Sequence, residues 1–457
     1  MELLITLIKN MSVIIVLAYV VTRSRVFTSI LKGELDLKNQ LCLIGVFGLF
    51  SIYGTLSGIQ LLGAIANIRD LGPMIAGLMG GPIVGLGAGL IGAAHRYFLG
   101  GMTVLPCTIS TVIAGLAGGM IFVLRRGQLP GVAFAALFAA LMESLHMGLT
   151  LLLASPYQAA LALVKQLSLP MVLANSLGIG IFTFIVANLI KERETEAVKK
   201  RIEGELQVAR EIQMSIVPKI FPPFPNRKEF DIHAVLEPAR EVGGDLYDFF
   251  LLNEDTLCFL VGDVSGKGVP ASLFMAVTKT LLKARAHEEL TPEQILDAVN
   301  NELCADNDSA MFVTVFLGIL HIPSGHVKCS NAGHNRPFVL RADGSLEKLP
   351  KMRGIALGVM EGFSFASYDF SLQRGDTILL YTDGINEAMN PAGELFGEER
   401  LEEILKNNIN AAAAGLTRAL KDAVRDFAGG AEQSDDITVM ALKWHQGTPL
   451  KCQEQHS

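Results

Sequence analysis

The sequence predicts a multidomain chain: an N-terminal α-helical polytopic membrane domain, a coiled-coil linker, and a C-terminal α+β domain. Three observations predict it. Hydrophobic residues fill 50% of the 457 positions, and long apolar runs crowd the first 190, a density that marks membrane spans in place of soluble helices. Residues 1–190 hold 10 basic and 5 acidic residues (net +5) and the remainder 28 and 40 (net −12), together the stated −7. Between the halves runs a charged stretch with a narrow apolar stripe. The length suits two or three domains. The six cysteines (Cys42, Cys107, Cys258, Cys304, Cys329, Cys452) are scattered with no CxxC pair, so neither a zinc site nor a disulfide framework is indicated.

A bilayer core takes roughly 20 apolar residues per helix. Candidate spans lie at about 3–22, 41–62, 71–94, 104–124, 132–154 and 170–190, six in all. The first is too long for a signal-peptide core, contains Lys9 and lacks a small-residue cleavage site, so it reads as a retained helix. Lys191, Arg193, Lys199, Lys200 and Arg201 follow the last span and put that end in the cytoplasm, with Arg125 and Arg126 on the same side. The loop carrying Arg23, Arg25, Lys32 and Lys38 breaks this rule if there are six spans.

The third span, GPMIAGLMGGPIVGLGAGLIGAAHR, is rich in small residues that allow close helix contact. Gly80-Gly81-Pro82 can break it, and broken helices line binding cavities. Asn67, Arg69 and Asp70 precede it, His95 and Arg96 follow, and Glu143 and His146 lie one turn apart in the fifth span. Ionisable groups at membrane depth are costly and mark function, although Arg69, Asp70 and Arg96 can equally lie at the interface. As a set, Asn67, Arg69, His95, Arg96, Glu143 and His146 suggest a site for a small anion, since two arginines are available. The stretch from NIRDLGPMIAGLMGGP through AAHRYFLGG to TISTVIAGLAGG resembles the membrane receptor module of LytS-type sensor kinases over roughly residues 30–190. That resemblance implies reception of a signal, a small carboxylate among the candidates. The kinase half of that family is missing: no phosphoacceptor-histidine helix and no ATP-binding glycine boxes follow.

The connector at residues 191–217 places Val198, Ile202, Leu206, Ala209, Ile212 and Ile216 at steps of four, four, three, three and four. This is a coiled-coil stripe. A lone helix with so narrow an apolar face is marginal, so pairing with a second copy is expected, against the alternative of a plain solvated spacer. Pro218 ends the helix and FPPFP at 221–225 makes a stiff exit.

From residue 218 to 445 short strand-like runs dominate, at about 230–238, 246–252, 256–263, 311–322, 326–332, 336–341, 376–382 and 436–443. Helical patterns fall near 269–287, 292–305, 397–408 and 414–428. Strands in groups and helices in pairs argue for α+β layers. Residues 446–457 read as a flexible tail.

Within this half, GDVSGKG at 262–268 follows an apolar strand and precedes a helix. Its glycines suggest a phosphate cradle, but a P-loop needs one more residue between the glycines and a Ser or Thr after the Lys. Asp263 is better explained with three other acids at strand ends or glycine turns: Asp245 in VGGDLYD, Asp383 in LLYTDGINEA and Asp435 in QSDDITVM. One Asp-Gly is usually a turn; four acids in this arrangement are hard to explain so. Carboxylates without His or Cys select hard cations such as Mg2+ or Mn2+. A pair of such ions can activate a water for in-line attack on phosphorus, and the Val264 carbonyl offers a further ligand. Lys267 can meet a substrate phosphate or the acids themselves. His334 in NAGHNRP is a candidate proton donor or a structural His, and Asp248 either supports the metal ligands or caps a turn.

ELQVAREIQMSIVPKIFPPFP, EVGGDLYDFF, GDVSGKGVPASLFM, SNAGHNRPFVL, GDTILLYTDGINEAMNPAGELFG and SDDITVMAL resemble, in order over about 204–443, the SpoIIE/RsbU-type branch of the metal-dependent serine/threonine phosphatases. The resemblance implies a β-sandwich flanked by helices and a centre of two Mn2+ or Mg2+ ions. Their ligands would be Asp245, Asp263, Asp383, Asp435 (the first acid of its pair) and the Val264 carbonyl. It also implies a protein substrate, a phosphorylated anti-sigma-factor antagonist. The expected whole is a homodimeric, multi-pass protein of the bacterial inner membrane, in contact with lipid, its phosphatase in the cytoplasm, switched by a small anionic ligand and without a nucleic-acid partner. The competing readings are a silent partner-switching scaffold, a transporter with a regulatory tail and a sensor kinase.

Overall fold

The computed structural model describes residues 2–24, 27, 36–61, 64–305, 307–446. Arg25 and Lys32 of the basic loop, and residues 447–457 of the expected tail, lie outside the described residues. The chain divides into two compact units, Met1–Lys199 and Lys200–Ser457.

In the first unit α1 is Glu2–Arg23, α2 Leu37–Leu56, α3 Leu71–Phe98, α4 Val104–Leu124 and α5 Val132–Leu153. The sixth helix, α6, runs from Tyr157 to Ile216 as one element of 60 residues. Among the described residues α2 to α6 are long and apolar enough to cross a membrane. The first expected span coincides with α1, whose Ser12–Arg23 stretch is apolar. The second expected span is corrected: the helix stops at Leu56, and beyond it β1 (Ile59–Leu61) pairs antiparallel with β2 (Ala64–Ala66). Gly58, just before β1, permits the close approach of β2, because a Cβ there would meet the Ala66 carbonyl at 2.7 Å. The start of the last span is also corrected. Ala- and Leu-rich residues before Pro170 extend the helix back to Tyr157 in spite of the proline.

The glycine-rich third span breaks where its sequence suggests. Gly81 takes φ +85°, a conformation L side chains rarely adopt, and Pro82 follows with no N–H to give. The small residues bring α3 and α4 into backbone contact: a Cβ on Gly118 would lie 2.6 Å from the Met74 carbonyl, and one on Gly85 would strike Gly115. Close approach of this kind is what holds helices together where lipid removes the hydrophobic driving force.

The second unit contains two five-stranded antiparallel sheets. One has the order β10–β7–β6–β5–β4 and the other β3–β12–β11–β8–β9. The strands are β3 Phe230–Glu237, β4 Leu246–Leu251, β5 Thr256–Val264, β6 Val313–His321, β7 His326–Ala332, β8 Phe338–Leu340, β9 Leu346–Lys348, β10 Ser367–Ser371, β11 Thr377–Tyr381 and β12 Ile437–Trp444. Their inner faces share one core, in which Phe259, Val261 and Phe316 meet Ile378, Leu380, Met440 and Leu442. On one outer face α7 (Val269–Arg285) and α8 (Pro292–Ala305) cover the sheet through Ala271, Met275, Ile295 and Val299. On the other, α10 (Gly397–Asn407) and α11 (Ala413–Ala428) do so through Leu401, Leu405, Leu416 and Leu420. The short helix α9 (Asp383–Asn386) lies between β11 and α10. This is the β-sandwich flanked by helices that the motifs imply. Strands buried on both faces explain the apolar runs of the sequence: all eight residues of β12 are buried, Thr438 and Lys443 among them.

Candidate functional site

Four strands bring the acids together. Asp245 immediately precedes β4, Asp263 is the penultimate residue of β5, Asp383 starts α9 after β11, and Asp435 precedes β12. Asp245 is 1% exposed. Its Oδ2 accepts hydrogen bonds from the hydroxyls of Thr438 (2.6 Å) and Thr382 (2.8 Å). Its Oδ1 is buried with no hydrogen-bond partner. Burial, then the neighbouring Asp263 and Asp436, push the Asp245 carboxyl well above the ordinary range. Burial and the charges of Asp383 and Asp435 raise Asp263 to about 7, and burial with Glu387 and Asp435 raises Asp383. Raised carboxyls mean a charge cluster that lacks its counter-charge.

Among the described residues the salt bridge to these four acids is Lys267 Nζ to Asp435 Oδ2, 2.9 Å; the same ammonium donates to the Ser434 carbonyl. A single half-exposed lysine does not balance four carboxylates. An orphaned buried carboxylate oxygen in an all-oxygen donor set fits hard divalent cations.

The two acids at 435 and 436 have different surroundings. Asp436 Oδ1 accepts the Ala239 N–H (2.8 Å) and Oδ2 the N–H groups of Gly244 (2.6 Å) and Asp245 (3.3 Å). It fastens the loop ahead of β4. Asp435 has Oδ2 on Lys267 and Oδ1 accepting the Asp436 N–H at 2.9 Å, and its charge helps raise Asp263. The glycines are needed for this convergence. A Cβ on Gly243 would collide with the Asp436 carboxylate, and one on Gly244 would lie 2.9 Å from the Val264 carbonyl.

Asp248 lies apart from the four acids. It is buried and paired with Lys279 Nζ of α7 at 2.5 Å. His334 Nδ1 meets the Thr314 hydroxyl at 2.8 Å, and Thr314 pairs in register with Asp263. Burial lowers its imidazole to about 4, so it is neutral at neutral pH.

In the membrane unit Arg69, Glu143 and His146 come together with Asp70. Arg69 Nε donates to Thr111 Oγ1 (2.7 Å) and Asp70 Oδ1 (3.3 Å). His146 Nδ1 lies 3.2 Å from Glu143 Oε1 and 3.4 Å from Asp70 Oδ2, and its Nε2 lies 3.3 Å from Cys107 Sγ. Asn175 on α6 donates to Glu143 Oε2 at 2.9 Å. Arg96 is buried, bound to the Gly100 carbonyl (2.5 Å) and Thr103 Oγ1 (3.0 Å). Arg69 Nη1 and Arg96 Nε are buried without a partner. Asn67 shapes the turn, its Oδ1 accepting the Arg69 N–H at 3.0 Å. His95 is half-buried, and no bond joins it to this cluster among the described residues.

Residues 253–445 match the family of stage II sporulation protein E (SpoIIE), and residues 24–189 match the 5TMR domain of 5TMR-LYT proteins. One stretch of the chain is thus similar to SpoIIE-type domains and another to the membrane domain of 5TMR-LYT proteins. The chain is a multi-pass membrane protein. It is 32% identical to Protein IcfG of Synechocystis over 283 residues, 56% of this chain and 44% of IcfG. It is 34% identical to the sensor protein LytS of Bacillus subtilis over 211 residues, 42% of this chain and 36% of LytS. With the phosphoserine phosphatase RsbU of the same species it shares 25% over 259 residues, 55% of this chain and 74% of RsbU. The chain thus spans less than half the length of IcfG and of LytS.

Sequence reading missed several participants of the SpoIIE-type and LytS-type sites. Thr382 directly precedes Asp383 and Thr438 follows Asp435 by three residues, but only the sheet pairing aims both hydroxyls at Asp245. Cys107, Ser110 and Thr111 recur at three- and four-residue steps in α4, a polar stripe that helical spacing alone could have exposed.

Proposed function

We propose that this protein is a signal-responsive membrane phosphatase that hydrolyses phosphoserine or phosphothreonine on a protein, using two divalent cations, Mn2+ or Mg2+. The observation that carries the reading is the buried, partnerless Oδ1 of Asp245 inside a cluster of four acids. Asp245, Asp263, Asp383, Asp435 and the Val264 carbonyl would hold the metals. When bound, such ions orient the phosphoryl group and lower the pKa of a water.

The chain's own residues prepare the site. Thr382 and Thr438 keep Asp245 in one orientation. Asp436 fixes the Gly243–Asp245 backbone. Lys267 holds Asp435 and presents an ammonium to an incoming phosphate. Neutral His334 steadies Thr314 beside Asp263.

The favoured substrate is a phosphorylated anti-sigma-factor antagonist in a partner-switching pathway, supported by the run of SpoIIE/RsbU-type motifs and the similarity to RsbU. The favoured signal is a small carboxylate at Arg69, Arg96, Glu143 and His146, supported by the partnerless guanidinium nitrogens. Exposed Val198, Ile202 and Ile212 on α6 support a homodimer through the connector. The basic residues after the last span support a phosphatase on the cytoplasmic side of the inner membrane. The test is phosphate release by the full chain from a phosphoserine-bearing antagonist, with and without a panel of short carboxylic acids. Release that depends on Mn2+ or Mg2+ supports the reading, and release from generic phosphopeptides but never from the antagonist removes the substrate assignment.

A further inference from the structure

The last turn of α6 carries one polar side chain that is buried. Gln213 is 6% exposed, although Val208 and Ile212 beside it are open to solvent. Its side-chain amide meets a single residue at two points. Gln213 Nε2 donates to the Gly243 carbonyl at 2.6 Å, and the Gly243 N–H donates to Gln213 Oε1 at 3.1 Å. A primary amide paired in this way with both polar groups of one residue restrains rotation as well as position.

The gripped residue lies two places before Asp245. The next N–H groups, of Gly244 and Asp245, are held by Asp436 Oδ2. Gly243 has no room for a Cβ against that carboxylate, and Gly244 is pressed towards the Val264 carbonyl at 2.9 Å from where its Cβ would stand. The segment that delivers Asp245 is therefore wedged between Asp436 and Val264, and Gln213 adds a two-point grip one residue before the wedge. Nearby the connector is anchored independently: Met214 and Val217 enter the sandwich core, and the Tyr247 hydroxyl donates to the Pro218 carbonyl. The Gln213 bonds are not needed to attach the helix, so their consequence falls on the loop.

We propose that Gln213 is a positioning residue for the metal centre, setting the approach of Asp245 and of the Val264 carbonyl through Gly243. This rests on the two-metal reading above. The test uses the full chain in detergent, comparing wild type with Gln213→Met, which keeps the length and removes both bonds, with Gln213→Ala, and with Gln207→Ala on the exposed side of the same helix. Mn2+ affinity is read by calorimetry, and the Mn2+ concentration for half-maximal turnover is read separately from kcat. Two lost hydrogen bonds predict a fall in Mn2+ affinity of about tenfold or more, with kcat recovered at saturating Mn2+, unchanged circular dichroism, and no effect of Gln207→Ala. Affinity in Gln213→Met within about twofold of wild type overturns the proposal, as does loss of folding in both Gln213 variants, which would make the residue a stability element. Failure of the wild type itself to bind Mn2+ would instead remove the two-metal reading.

Discussion

Replacing Lys279 by Met should destabilise the Lys200–Ser457 unit by about 3–5 kcal/mol, the cost of leaving one member of a buried ion pair alone. Lys279 projects from α7 between the core residues Met275 and Leu282. Its ammonium lies 2.5 Å from Asp248 Oδ2, with side-chain exposures of 6% and 3%. Asp248 keeps one other bond, from the Phe249 N–H to its Oδ1 at 2.9 Å, so Met would strand a carboxylate in an apolar layer. For a unit of this size each kcal/mol lowers Tm by roughly 2–4 °C, giving a fall of about 6–20 °C. The assay is urea or thermal unfolding followed by tryptophan emission. Trp444 is the only tryptophan and is buried in β12 with its indole N–H on the Ile322 carbonyl at 2.8 Å, so the signal reports this unit alone. The double variant Lys279→Met with Asp248→Leu should regain most of the loss, since an apolar pair can replace a buried ion pair at little cost. A single-variant loss under about 1 kcal/mol, or a double variant no better than the single, would mean that the buried pair carries no such cost.

Thr438→Val and Thr382→Val each remove a hydroxyl from Asp245 Oδ2; hydrogen bonds to charged groups are worth about 1.5–3 kcal/mol, so each change should weaken Mn2+ binding at least about tenfold in calorimetry. Asp263, raised to about 7, holds its proton in the metal-free fold over a range where the unfolded chain has lost it. Folding then binds protons, metal-free stability falls as pH rises from about 4 to about 7, and Mn2+ binding below that upper value releases protons, which calorimetry in buffers of different ionisation enthalpy will register. Arg69→Met removes the guanidinium that bonds Thr111 and Asp70 and should abolish the thermal shift of the full chain with short carboxylic acids.

The sandwich was legible because its central strands are buried on both faces and therefore carry apolar runs, Leu257–Val261 in β5 and Val439–Leu442 in β12. Two of the four edge strands were not. β9 and β10 are half-exposed and polar, LEK and SYDFS, and their pairing comes from β8 and β7 and not from hydrophobic pattern. The pairing of β1 with β2 hid inside an apolar run because hydropathy does not separate a helix end from a short strand. The acids were legible through their places at strand ends. Gln213, Asn175, Thr382 and Thr438 were not, because each acts across the fold on a residue far away in sequence, and nothing in its own neighbourhood announces it.

The proposed function rests on four acids that hold metal for phosphoester hydrolysis. Turnover of a phosphoserine substrate by the full chain in Mn2+, in Mg2+ and in chelator, beside Asp263→Ala and Asp383→Ala, tests it most directly. Turnover should require metal and be lost in both variants while the Trp444 emission of the folded unit is kept. Turnover that persists in chelator, or that survives both substitutions, would contradict it.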